Sequence, residues 1–236
     1  EPKTLEQTAA NPLATAPIGT LLCRYSIPTT LTLLVNYLYN IADQIFVGQG
    51  VGITGMAATN VAFPLTIVTI ALALLLGDGC AANLNLCLGR GEQDQANRII
   101  SHTASLMVGV GILLGIAGSL LAKPIVILFG ATETSFQAAL DYTRIIAWGL
   151  PFLLFSSALA AIIRADGNPK FTMKCMMLGA GINLVLDPVF IFCLHMGVVG
   201  AAIATVLGQA VAGTLCLLHL RRLQSVRIER RWLRPT

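Results

Sequence analysis

Charged side chains are scarce in this chain. Asp, Glu, Lys and Arg make up 11% of its 236 residues, against about 25% in a typical soluble domain. That excludes an ordinary water-soluble globule, and no polar stretch is long enough to house a soluble catalytic domain. No C-x-x-C pair occurs: Cys23, Cys80, Cys87, Cys175, Cys193 and Cys216 are scattered through apolar segments and read as small core residues. His102, His195 and His219 are equally dispersed, without the spacing a structural metal site needs. Residues 1–19 lack the short apolar core and small-residue cleavage site of a signal peptide, so the first span must serve as its own insertion signal. The chain begins with Glu1 instead of Met, which reads as a trimmed product or part of a longer gene.

What is present is apolar. Hydrophobic residues make up 56% of the chain and the mean hydropathy is +0.78, the composition of an integral membrane protein. A helix crosses a ~30 Å hydrocarbon core in about 20 residues, and six stretches suffice: near 20–48, 56–88, 99–122, 139–163, 171–193 and 197–220. The expected fold is an all-α six-transmembrane-helix bundle over 20–220, between a cytoplasmic N-terminal segment (1–19) and a basic cytoplasmic tail (221–236). The second stretch is too long for one straight crossing and should project beyond the bilayer. With six spans both termini share a side, and that side carries Lys3, Arg24, Arg90, Arg98, Arg164, Lys170, Lys174 and the tail arginines, whereas the other carries Lys123 and Arg144. The positive-inside rule makes the first side cytoplasmic. The net charge of +4 therefore reflects topology and lipid headgroups; nucleic acid is not an expected partner.

Against this background Asp43 and Asp187 stand out. A carboxylate at bilayer depth costs about 3 kcal/mol even on insertion scales, so such acids mark ion or proton sites facing a protein-lined cavity. The alternative is an acid at a helix end reaching interfacial water. Thr29, Thr32, Asn36, Asn40 and Asp43 recur at steps of three or four, forming one helical stripe that needs a partner. Asn183 and Asp187 lie one turn apart, as do Thr205 and Gln209. Read singly, each Asn or Thr is an interhelical hydrogen-bonding residue; three helices offering such faces point to a shared cavity. Depth agrees: at 1.5 Å per residue Asp43 lies about 28 Å past Arg24, Asp187 about 20 Å past Lys174, and Thr205 about 12 Å into an inward-running span. A cavity in the outer half, lined by Asp43, Asn183, Asp187 and Thr205, satisfies all of them.

Prolines and small residues complete the pattern. Pro188 removes an N–H and disfavours helical geometry at Asp187, so free carbonyl oxygens suited to a hard cation are expected beside the acid. Pro28 is a hinge candidate in the first span. Gly111 and Gly115 make a G-x-x-x-G step, and Gly200, Ala204 and Gly208 a small-residue ridge, both contact faces between helices. Asp78, in Gly77-Asp78-Gly79, reads either as a cytoplasmic-facing vestibule acid or as a second titrating site. Its order is not the G-x-G-D of intramembrane aspartyl proteases, and no enzyme is expected.

These residues carry a resemblance. Asp43-Gln44-Ile45-Phe46-Val47-Gly48, Leu88-Gly89-Arg90-Gly91-Glu92, Leu128-Phe129-Gly130-Ala131, Arg164-Ala165-Asp166-Gly167-Asn168-Pro169-Lys170, Asn183 to Pro188 and Gly200 to Thr205 resemble, in order and spacing, the multidrug and toxic compound extrusion (MATE) family. The likeness is greatest to its prokaryotic DinF-like branch. The resemblance covers nearly the whole chain and about half of a family member. It implies the amino-terminal lobe of a twelve-helix, two-lobe transporter of the cell membrane, with a carboxy-terminal lobe or a second copy supplying the opposite wall. It implies export of cationic or amphipathic small molecules driven by H+ or Na+, with no other cofactor. Asp43, Asn183, Asp187 and Thr205 would then form the cation-linked site, with Na+ as one candidate occupant at Asp187. Two other readings stay open: a lipid-linked precursor flippase of related fold, against which the near absence of intramembrane Lys and Arg argues, and a non-transporting membrane assembly subunit.

Overall fold

A computed structural model of the chain describes residues 17–220 and 223. Nearly all of the expected N-terminal segment and basic tail lie outside these residues. Within them the chain is helical from end to end: α1 (Ile18–Gly50), α2 (Ile53–Gly89), α3 (Gln93–Leu120), the short α4 (Ala122–Leu128), α5 (Phe136–Ala165), α6 (Pro169–Pro188) with a following π turn (Val189–Cys193), and α7 (Gly197–His219). In hydrocarbon the backbone must satisfy its own hydrogen bonds, and runs of Leu, Ile, Val and Ala do so as helices. The breaks fall where backbone chemistry changes. After α2 and α5 the chain turns on Gly91 (φ 75°) and Gly167 (φ 92°), in the left-handed conformation that favours glycine. Asn168 then caps α6, its Oδ1 accepting from the Phe171 N–H at 3.2 Å, with Pro169 preset for the first turn.

Five of these helices are long and apolar enough to cross a membrane: α2, α3, α5, α6 with its π turn, and α7. α1, read from the sequence as the first span, has the length for a crossing, 33 residues. α2, at 37 residues, is about 56 Å long and extends past a bilayer core, as its sequence requires. α3 begins at Gln93, several residues before the span placed from 99, because its first turns are polar but still helical.

α5 is the central element. It packs against α2, α3, α4, α6 and α7, and 61% of its apolar stretch is buried against at most 39% in the other four spans. Glycines make these contacts possible. A Cβ at Gly77 would lie 2.7 Å from the Cα of Ala158, Gly111 and Gly115 fit against Pro151, and a Cβ at Gly213 would lie 2.9 Å from the Phe152 carbonyl. Two apolar cores result. One, around Leu84, Ile100, Leu159 and Cys216, lies toward the α2–α3 and α5–α6 turns. The other, around Val47, Val126, Tyr142 and Ala201, lies toward the α1–α2 and α6–α7 turns.

Pro188 does not disrupt the helix at Asp187. α6 keeps helical geometry through Pro188 (φ −64°, ψ −33°) and widens only afterwards, in the π turn. A proline's missing N–H can be absorbed by such a widened turn without bending the residue before it. The π turn is held against α1 by Phe192, whose ring meets that of Phe46 edge-on at 6.4 Å.

Candidate functional site

α1 leans chiefly on α6, and this contact places the two intramembrane acids side by side. Asp43 is 7% exposed and Asp187 is fully buried; their carboxyls lie within hydrogen-bonding reach of each other. Two ionised carboxylates can only accept and repel, so a pair in contact needs a shared proton or a cation between the oxygens. Neither acid forms an ion pair with Lys or Arg among the described residues.

Asn183, one turn before Asp187, links the pair to α7. With its amide oriented so that donors meet acceptors, its nitrogen donates to Asp187 Oδ2 at 3.2 Å, and its oxygen accepts from the Thr205 hydroxyl at 3.3 Å and the Thr205 N–H at 3.2 Å. This reach across helices depends on two glycines. A Cβ on Gly208 would stand 2.6 Å from the Gly179 carbonyl oxygen, and one on Gly179 2.7 Å from that of Gly208; any side chain there would drive α6 and α7 apart.

On the other flank, Asp43 Oδ2 accepts from Gln44 Nε2 at 3.4 Å, and Gln44 Oε1 accepts from the Thr59 hydroxyl of α2 at 3.3 Å. Asp43 Oδ1 is buried with no hydrogen-bond partner, so the group retains an acceptor for a proton or hard cation. Two phenols flank the pair: Tyr39 of α1, bonded to Asn40, and Tyr142 of α5, near both acids and Tyr39. Tyr39, Gln44, Thr59 and Tyr142 are site neighbours that the sequence reading missed. Tyr39, one turn before Asp43, and Gln44, beside it, lay within reach of a helical pattern. Thr59 and Tyr142 carried no such signal, because only packing of α2 and α5 brings them near.

The structure therefore brings together Asp43, Asn183, Asp187 and Thr205 from α1, α6 and α7. The other singled-out residues lie elsewhere or are satisfied otherwise. Asn36 donates to the Thr32 carbonyl at 3.0 Å, Asn40 to that of Asn36 at 2.7 Å, and the Thr32 hydroxyl to that of Pro28 at 2.7 Å. The stripe thus meets a partner helix at Asp43, while Thr32, Asn36 and Asn40 back-bond one turn down their own helix. Asn40 also opens, with Tyr37, Gln44 and Gln49, onto a shallow groove on the outer face of α1. Gln209 is partly buried and turned to α5, its Oε1 3.3 Å from where a Gly149 Cβ would stand. Pro28 is buried on α1, about 22 Å along the axis from Asp43. Asp78 belongs to the other end of the bundle, 59% exposed and 4.0 Å from Arg164 Nη2, an exposed pairing worth little. Among the described residues no group of three or more His, Cys, Asp or Glu is placed to hold a metal ion.

Comparison with known proteins follows the same lines. The chain is 33% identical over 208 residues to an FAD transporter of Shewanella oneidensis, an alignment covering 86% of this chain and 46% of that protein. It is 26% identical over 198 residues to the multidrug export protein MepA of Staphylococcus haemolyticus, covering 84% and 44%. Among solved structures, it superposes on the MATE multidrug transporter DinF-BH with a TM-score of 0.84 at 36% identity, covering 91% of this chain and 48% of that one. A MATE protein crystallised in a bent conformation gives 0.83 at 32% identity, covering 92% and 49%. The chain spans about half the length of the curated relatives it matches. Residues 28–189, from the first proline of α1 to the start of the π turn, match the MatE family, and the chain belongs to that family of multi-pass membrane transporters.

Proposed function

We propose that this chain is the amino-terminal lobe of a cation-coupled efflux antiporter of the cell membrane, exporting cationic or amphipathic small molecules. The observation that carries this reading is the Asp43–Asp187 carboxyl pair, buried between α1 and α6 with no basic partner among the described residues. A proton or Na+ bound there removes uncompensated negative charge from a low-dielectric site. α1 then closes against α6, the cavity contracts and the solute leaves; release of the ion reverses the step. Pro28, at the far end of α1, is the hinge in this scheme. A carboxy-terminal lobe, or a second copy, supplies the opposing wall that alternating access requires. The acidic site, with no Lys or Arg paired to it among the described residues, favours cationic solutes over the anionic headgroups of a lipid-linked precursor.

The test is gradient-driven export of a fluorescent cation by the intact transporter in vesicles, with H+ and Na+ gradients imposed separately. Asp43→Asn and Asp187→Asn should each abolish export, at least 100-fold, while protein yield and gel-filtration profile stay near wild type. Wild-type export by both variants would sink the coupling role, and loss of the folded protein would make the acids structural. The expected orientation, with the termini cytoplasmic, has its own check. In a background with Cys23 and Cys193 replaced by Ser, Glu133→Cys should react with an impermeant maleimide from outside the cell, and Gln93→Cys should not. The reverse pattern would invert the topology.

A further inference from the structure

α6 and α7 run antiparallel along a seam whose register is fixed by small residues. A Cβ on Gly208 would stand 3.2 Å from the Cβ of Asn183, and one on Gly179 3.0 Å from that of Ala212. Facing positions on antiparallel helices step one turn down one helix and one turn up the other. The sequence of pairs is thus Asn183 with Gly208, Gly179 with Ala212, Cys175 with Cys216, and near the helix ends Phe171 with His219. The last pair is observed, the two rings stacked with centroids 3.9 Å apart and planes 21° from parallel. The register therefore holds along the seam, with the cysteine pair between its fixed points.

The thiols meet. Cys175 is 2% exposed and Cys216 fully buried, in one apolar core, and the two side chains are hydrogen-bonding neighbours. Helix axes usually pack 8–10 Å apart. Glycine on both sides of this seam brings the backbones closer, toward the ~4.4–6.8 Å between Cα atoms that a disulfide spans. Cys80 and Cys87 share the same core, but Cys80 is bonded to Thr103 of α3. The pair lies near a membrane boundary, Cys175 being about 9 Å from the start of α6, and the Arg164 guanidinium lies near Cys216.

We propose that Cys175 and Cys216 are an oxidisable dithiol, a modification site at which a membrane-permeant two-electron oxidant such as hydrogen peroxide cross-links α6 to α7. The Cys175 sulfur, as thiolate beside the Cys216 S–H, attacks the peroxide O–O bond. This forms a sulfenic acid and releases one water after proton transfer. The Cys216 sulfur then attacks the sulfenic sulfur, forming the S–S bond and expelling the second water. Two thiols are oxidised and one peroxide is reduced to two waters. The bond fixes the seam two turns from Asn183, and so holds α6 against α7 directly beneath the Asn183–Thr205 contact. This inference rests on the packing and not on the transport reading.

The experiment uses the full chain in membranes, treated with hydrogen peroxide, blocked with N-ethylmaleimide, digested without reductant and mapped by mass spectrometry. The expected result is one peptide pair joining Cys175 to Cys216, lighter by two hydrogens than the free peptides and separated by dithiothreitol. C175S and C216S should each remove it and leave the remaining cysteine of the pair labelled by maleimide. Persistence of both as free thiols in the wild-type chain, oxidation of either to a sulfinic acid without linkage, or linkage of either to another cysteine would overturn the proposal. The wild-type map decides the matter even if a serine variant folds poorly.

Discussion

α1 and α5 have similar lengths, 33 and 30 residues, and each carries an internal proline, Pro28 and Pro151. They are held in opposite ways. α5 is enclosed by α2, α3, α4, α6 and α7, and glycines on α2, α3 and α7 bring backbone against backbone around it. α1 sits at the edge, leaning mainly on α6, and many of its large apolar side chains, among them Leu33, Leu34, Leu38 and Ile41, are exposed. In a bilayer there is little hydrophobic drive between helices, so close van der Waals packing decides which of them are fixed to one another. α5 is thus the frame, whereas α1 is joined to the bundle along one side of its later turns, by Asp43 beside Asp187, Phe46 against Phe192 and Val47 in the apolar core. An element tied down at its functional group is one whose position an ion can change.

The contrast can be broken most severely at the frame. Gly77→Leu would push a side chain into the Ala158 backbone, where no flexible group can yield. Overpacking of this kind should lower stability by about 2 kcal/mol or more, seen as loss of the monodisperse peak and of thermal stability in detergent. An unchanged melting profile would mean that α2 and α5 are less fixed than the packing indicates.

An intermediate effect is expected where frame and mobile helix meet. Asn183→Ala strips Asp187 of its donor and Thr205 of its acceptor, and a buried polar group left unpaired costs about 1–3 kcal/mol. The melting temperature should fall while the protein still folds, and export by the intact transporter should be lost. Full activity would show that the α6–α7 link is dispensable to the acid pair.

The smallest effect belongs to α1 itself. Asn40→Ala removes an exposed amide that donates to the Asn36 carbonyl and should shift stability by no more than about 0.5 kcal/mol. A large loss would show that the outer face of α1 is an interface after all, and that α1 is less free than α5's enclosure makes it look.

How far the sequence reached depends on the range of the interaction involved. Apolar runs, their lengths and the Gly- and Pro-marked turns disclosed the helices, because each is settled within a few residues of backbone. Helical spacing also put Asn183 and Asp187 on one face, and depth arithmetic brought Asp43, Asn183, Asp187 and Thr205 to a common level. The amides of the α1 stripe, Asn36 and Asn40, bond to carbonyls one turn down their own helix, an interaction as local as the spacing that revealed the stripe. Only the tertiary structure decided that α1 rests on α6, that Gln44 reaches Thr59, that Tyr142 of α5 comes near the acids, and that Asp78 turns to Arg164. Periodicity states which side chains share a face; which faces meet is settled by the fit of glycines against backbones far apart in the chain, such as Gly179 with Gly208 and Gly77 with Ala158.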